Sequence, residues 1–127
     1  MAVLYATLRI SNPLREDVEP QWIRCLVNRS LYKHLIIREG IAKKLELKEV
    51  CKREEKIGNG PTEVFSYVGP IKLEFEGRIG YMGALVIKND DYNTCYLGSI
   101  AMNEVGLTVL ETPTFVGLGH DPNVIVF

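Results

Sequence analysis

Arg24-Cys25-Leu26-Val27-Asn28-Arg29-Ser30-Leu31-Tyr32-Lys33-His34-Leu35-Ile36 is the stretch around which the chain is organised. Ile23, Cys25, Leu26 and Val27 read as a buried strand. The strand ends in the polar triplet Asn28-Arg29-Ser30, and apolar sequence resumes at Leu35-Ile36. A strand that stops at a polar turn inside a core is where many β proteins hold a functional group.

Working outward, residues 2–10 are rich in β-formers and predict a first strand. Ser11-Asn12-Pro13 is a turn signal, residues 14–20 form an exposed polar loop, and residues 21–27 return as the partner strand. Trp22 reads as a residue packed in a core or an interface. Ile37, Ile41 and Leu45 recur at helical spacing with Ala42 beside them, so a short helix is expected over 37–45. The signs of the charges alternate over Lys48–Lys56, as on a solvated, salt-laced strand.

Gly58-Asn59-Gly60-Pro61 is the strongest turn signal and joins strand 48–57 to a long β segment over 62–75. A second turn at Glu76-Gly77-Arg78 leads to a strand over 79–87, and residues 88–93 form a polar loop. Thr94–Leu97 is a short buried strand that ends at Gly98. Ser99 is placed to cap a brief helix over 100–105, which Gly106 stops. A strand follows at 107–110. The Gly- and Pro-rich tail over 112–123 reads as irregular, and Val124–Phe127 is too apolar to lie in water, so it is expected to pair with a sheet edge. Hairpins at such spacing favour a small closed β barrel, all-β and mainly antiparallel, with one or two short helices in a single domain spanning 1–127.

The chain has 127 residues, 46% apolar and 24% charged, enough for one core. Fifteen basic and sixteen acidic side chains give a net charge of −1, which offers phosphates no basic face. No apolar run is long enough to span a bilayer as a helix, and Met1–Tyr5 lacks the basic region of a signal peptide. No nucleic acid, no membrane and a cytoplasmic location are expected. Cys25, Cys51 and Cys95 are odd in number and lack CxxC spacing, so reduced thiols are expected. With only His34 and His120 beside them, they predict no metal site, and nothing calls for a cofactor. Asp90-Asp91, and Glu16, Asp17 and Glu19, read as solvated carboxylates. His34 reads as a surface or turn histidine with no acid to orient it.

This order of elements resembles the retropepsin-like aspartic protease fold. In that family an apolar pair precedes Asp-Thr/Ser-Gly, and apolar residues return a few positions on. Here the pair is Leu26-Val27 and the return is Leu35-Ile36. Gly58-Asn59-Gly60 lies where a flap hairpin belongs. Ala84-Leu85-Val86, followed by Tyr96-Leu97-Gly98-Ser99-Ile100-Ala101-Met102, is similar to the family's second apolar segment with its glycine and following helix. The resemblance implies a symmetric homodimer with a site on its two-fold axis, where two aspartates share a proton.

The triplet departs from the pattern at each position. Asn28 stands for the aspartate, and an amide has no proton equilibrium with which to act as a base. Arg29 replaces a small hydroxyl residue. Ser30 replaces a glycine whose missing Cβ frees the turn. The expectation is a pseudoenzyme: a non-catalytic homodimer that binds a peptide or protein segment through Asn28, Arg29, Gly58, Asn59 and Gly60. The alternative is an aspartic-type endopeptidase whose activity is lost or altered here.

Overall fold

The computed structural model describes residues 4–27, 33–88, 94–112 and 115–120. Its strands are β1 (Leu4–Ser11), β2 (Gln21–Val27), β3 (Leu35–Arg38), β4 (Lys48–Lys56), β5 (Thr62–Phe75), β6 (Arg78–Ile87), β7 (Thr94–Leu97), β8 (Leu107–Thr112) and β9 (Phe115–His120). Two six-residue helices complete it, α1 (Glu39–Lys44) and α2 (Ser99–Glu104).

Six strands form a closed ring in the order β1-β2-β7-β3-β6-β5, and β5 returns to β1. The length of β5 makes closure possible. Its residues 62–69 pair with β4, its residues 72–74 pair with β1, and a register irregularity lies between Val68 and Ile71. Such an irregularity bends a strand and raises its twist, which lets one strand serve two neighbours. Strand β4 stands outside the ring, paired to β5, and β8 and β9 form a separate hairpin. The pairings are mainly antiparallel, with two parallel steps, β2–β7 and β3–β6.

Alternation along the strands fills the ring. Ala6, Leu8 and Ile10 of β1, and Ile23, Cys25 and Val27 of β2, point inward with Ile71, Leu73, Ala84 and Leu97. All four residues of β3 are buried, as expected of a strand covered on both faces. Helix α1 adds Ala42, and the core continues through Leu45.

Several expectations change. The helix foreseen over 37–45 begins at Glu39, because Ile37 and Arg38 belong to β3 and pair with Val86 and Ile87. Ile37 fits a helical stripe and a buried strand equally well, and pairing with β6 decides between them. Ser99 does not cap α2. Gly98 holds the N-cap position, without a side-chain hydrogen bond. Trp22 is no core residue: it is 70% exposed, because alternation on β2 sends it outward between Gln21 and buried Ile23. The tail read as irregular contains β9, paired with β8 through the whole of Leu107–Thr112. Its glycines, Gly117 and Gly119, concealed the strand. Val18, read as part of an exposed loop, is buried at the edge of the core. The Val124–Phe127 segment lies outside the described residues. No described helix is long and apolar enough to cross a membrane.

Candidate functional site

Strand β2 carries the chain to the candidate site. Its last residue, Val27, is buried and lies between Leu4 of β1 and Leu97 of β7. Asn28, Arg29 and Ser30 follow it and lie outside the described residues, as do Asp90 and Asp91. What the structure defines is the frame on either side of the triplet.

The chain re-enters at Lys33 and is fastened at once. The Ile100 N–H donates to the Lys33 carbonyl at 2.9 Å, and the Gly98 N–H donates to the His34 carbonyl at 3.2 Å. A Cβ at Gly98 would sit 2.5 Å from the Lys33 carbonyl carbon and 2.7 Å from both carbonyl oxygens. Only glycine permits this approach. The chain therefore leaves β2 beside Leu97 and is next described beside Gly98, so the residues on either side of the triplet are held by the same short run of chain.

Gly58, Asn59 and Gly60 form the turn of the β4–β5 hairpin. Gly58 adopts a positive φ of 59°, and the Gly60 N–H donates to the Ile57 carbonyl at 3.1 Å. The turn foreseen from sequence is thus in place. The hairpin is also tied to the anchored segment below its tip. His34 Nε2 lies 3.2 Å from Glu55 Oε1, with the two side chains 13% and 22% exposed. Arg53 Nε reaches the same Glu55 oxygen at 3.3 Å. The Arg53 guanidinium sits 5.1 Å over the Tyr67 ring, and Tyr67 meets the His34 ring edge-on at 6.2 Å between centroids. The Tyr67 ring in turn occupies the space a side chain at Gly83 would need.

This cluster was not legible in the sequence. His34 is mostly covered rather than a surface histidine, and the acid beside it is Glu55. It is drawn from a strand whose exposed charges behave as a solvated surface, as in the Ser66–Glu49 hydrogen bond and the Lys52–Glu49 pair, which hold the Glu49 carboxyl below its ordinary range. The signal that marks Glu55 is position. Glu55 and Arg53 are two apart, so they share the face of β4 that looks toward His34. No nucleophile accompanies His34 among the described residues, since Cys25 faces Cys95 inside the ring.

Asp17, Glu16 and Glu19 behave as solvated residues. Arg15 holds Asp17 through two hydrogen bonds, at 2.9 and 2.8 Å, and lowers its carboxyl to about 2. Glu16 and Glu19 are exposed. Among the described residues no three metal-binding side chains converge.

No family model and no curated protein sequence matches the chain. Among solved structures, the retroviral protease-like domain of Ddi1 from Leishmania major is similar, with a TM-score of 0.58 over 98% of this chain and 99% of that one. The two share 11% sequence identity, so the likeness is one of fold. The likeness covers almost the full length of both chains, and with its closed six-stranded barrel and two short helices the chain has the retropepsin-like fold.

Proposed function

We propose that the chain is a non-catalytic, retropepsin-like homodimer that holds an extended peptide or protein segment in the groove where relatives of this fold cleave one. The observation that carries this reading is the residue after the buried end of β2. In a barrel of this fold the position belongs to an acid, and this chain has Asn28. A neutral amide can donate and accept hydrogen bonds but cannot exchange a proton with an attacking water. Arg29 beside it adds a fixed cation suited to a carboxylate on the ligand. Gly58, Asn59 and Gly60, at the hairpin tip, would supply backbone groups to the bound segment.

Light scattering combined with peptide binding tests the proposal. A dimer that binds extended peptides without cutting them is the expected result. Cleavage by the unaltered chain would overturn the non-catalytic reading, and a monomer would remove the shared groove. The triple substitution Asn28→Asp, Arg29→Thr, Ser30→Gly restores the family's triplet, and gain of peptide cleavage by that variant would establish the ancestry of the site directly.

A further inference from the structure

Two thiols meet where β2 and β7 run side by side. The strands are parallel, and Cys25 and Cys95 are direct register partners. Partners in a parallel pair project to the same face, and these are 0% and 1% exposed. Neighbouring strands lie about 4.8 Å apart, inside the roughly 4.4–6.8 Å between Cα atoms that a disulfide spans. Both cysteines are reduced in this structure.

The two sulfurs are not equivalent. The Cys25 thiol donates to Cys95, which pushes Cys25 up and draws Cys95 down. A hydrogen bond from the Arg38 backbone and the charge of Arg38 lower Cys95 further. Cys95, though buried, lies at the floor of a groove of about 420 Å³ that it lines with Trp22, Arg24, Arg38 and Lys44. Among the described residues, three cations and no acid line that groove, and nearby cations favour a thiolate.

We propose that Cys95 and Cys25 form a redox-active dithiol, with Cys95 as the thiol that meets the oxidant and Cys25 as its resolving partner. The oxidant class is a hydroperoxide, small enough to reach the floor of the groove. The Cys95 thiolate attacks the terminal peroxide oxygen. The S–O bond forms, the O–O bond breaks, and the departing oxygen leaves as water, or as an alcohol, after taking a proton. Cys25 then attacks the sulfenic sulfur, the S–S bond forms, and hydroxide leaves and is protonated by the Cys25 proton. Two thiols are oxidised and one peroxide is reduced. The product locks β2 to β7 two residues before Val27 and Leu97, on the frame that carries Asn28. This inference is independent of the peptide-binding reading.

The test uses the full chain with Cys51→Ser, which removes the exposed thiol. The folded variant is treated with hydrogen peroxide, blocked with an alkylating reagent after denaturation, and analysed by mass spectrometry. Loss of two hydrogens and of both thiols, with peptides containing Cys25 and Cys95 linked, is the expected result. In Cys25→Ser, Cys51→Ser, a dimedone adduct accumulates on Cys95. Thiols that survive peroxide sufficient to consume free cysteine would overturn the proposal. So would oxidation that rises in step with the unfolded fraction on adding urea, or, in the Cys51→Ser chain, a dimedone adduct on Cys25 in place of Cys95.

Discussion

Arg9 on β1 and Glu74 on β5 are register partners across the seam that closes the barrel, and their side chains meet at 2.6 Å. Lys72 reaches the other Glu74 oxygen at 3.1 Å. The Arg9 hydrogen bond is the main reason the Glu74 carboxyl is held below its ordinary range. A carboxylate with a lowered folded pKa adds stability above its unfolded value, about 4.3 for glutamate, and loses it as pH falls through the folded value. Arg9 is 38% exposed, so water screens the pair. Arg9→Met is therefore expected to lower stability by no more than about 1 kcal/mol at neutral pH. Urea melts of both proteins should converge as the pH is taken below the folded Glu74 value; a constant difference would assign the loss to packing.

Gly98 offers a sharper test because the atoms it meets are backbone. Gly98→Ala forces the Lys33–His34 peptide away from α2, and overpacking of this kind costs about 1–3 kcal/mol. Chemical denaturation should show that loss. Amide exchange should rise at Ile100 and Gly98, whose N–H groups bond to the displaced carbonyls. An unchanged exchange rate at Ile100 would mean the loop is anchored elsewhere.

These two contacts also show what a linear reading can reach. The β2 strand, the Gly58–Gly60 turn and the long β5 segment were legible because alternation and turn chemistry are local. Closure was not. Arg9 and Glu74 lie 65 residues apart, and nothing in either neighbourhood announces the pairing. The same holds for the parallel register of Cys25 with Cys95. Glu55 was hidden among charges of the same composition, and only its contacts with His34 and Arg53 set it apart. Of the two readings of Trp22, the core one fails because its phase on β2 faces it outward. The frame on either side of Asn28 required the fold.

Tyr67 and Gly83 form a complementary pair on β5 and β6. Gly83→Ala puts a methyl group into the Tyr67 ring, and the ring must swing off His34 and Arg53. The single variant should lose stability, whereas in the Tyr67→Ala background the same change should be nearly neutral or favourable. A double-mutant cycle should give a coupling energy of about 1–3 kcal/mol. Additive effects would show that the ring is not the obstacle.

Asn12 is a buried polar residue with three side-chain hydrogen bonds, two of which join the first turn to the end of α1 and one of which closes the turn itself. Its Nδ2 donates to the Leu45 carbonyl at 3.0 Å and the Glu46 carbonyl at 3.3 Å, and its Oδ1 accepts the Leu14 N–H at 3.0 Å. Glu46 sits at a positive φ of 52°. Asn12→Ala strands these groups and should lower stability by about 1–3 kcal/mol. Asn12→Asp should be worse at neutral pH, since a carboxylate then faces two carbonyls. Its folded pKa is raised, so the Asp variant should recover stability as the pH falls and the acid protonates. Thermal melts at two pH values distinguish this outcome from a simple loss of shape.

The His34–Glu55 contact joins the anchored loop to the hairpin, and its effect should appear in hairpin dynamics before stability. Strand β4 is exposed along nearly its whole length and packs on little besides β5. Few apolar contacts hold it, so it belongs to the part of the molecule that opens most easily. Glu55 accepts from both His34 and Arg53. Glu55→Ala releases both donors and leaves Tyr67 as the remaining link. Hydrogen exchange should then quicken along Lys48–Lys56 while Leu8, Ile10 and Leu73 in the ring keep their protection. His34→Ala should produce the same pattern, and the two changes together should add little, because each removes the same contact. If exchange instead quickens throughout the ring, the pair supports the barrel as a whole and does not act as a local tie on the hairpin.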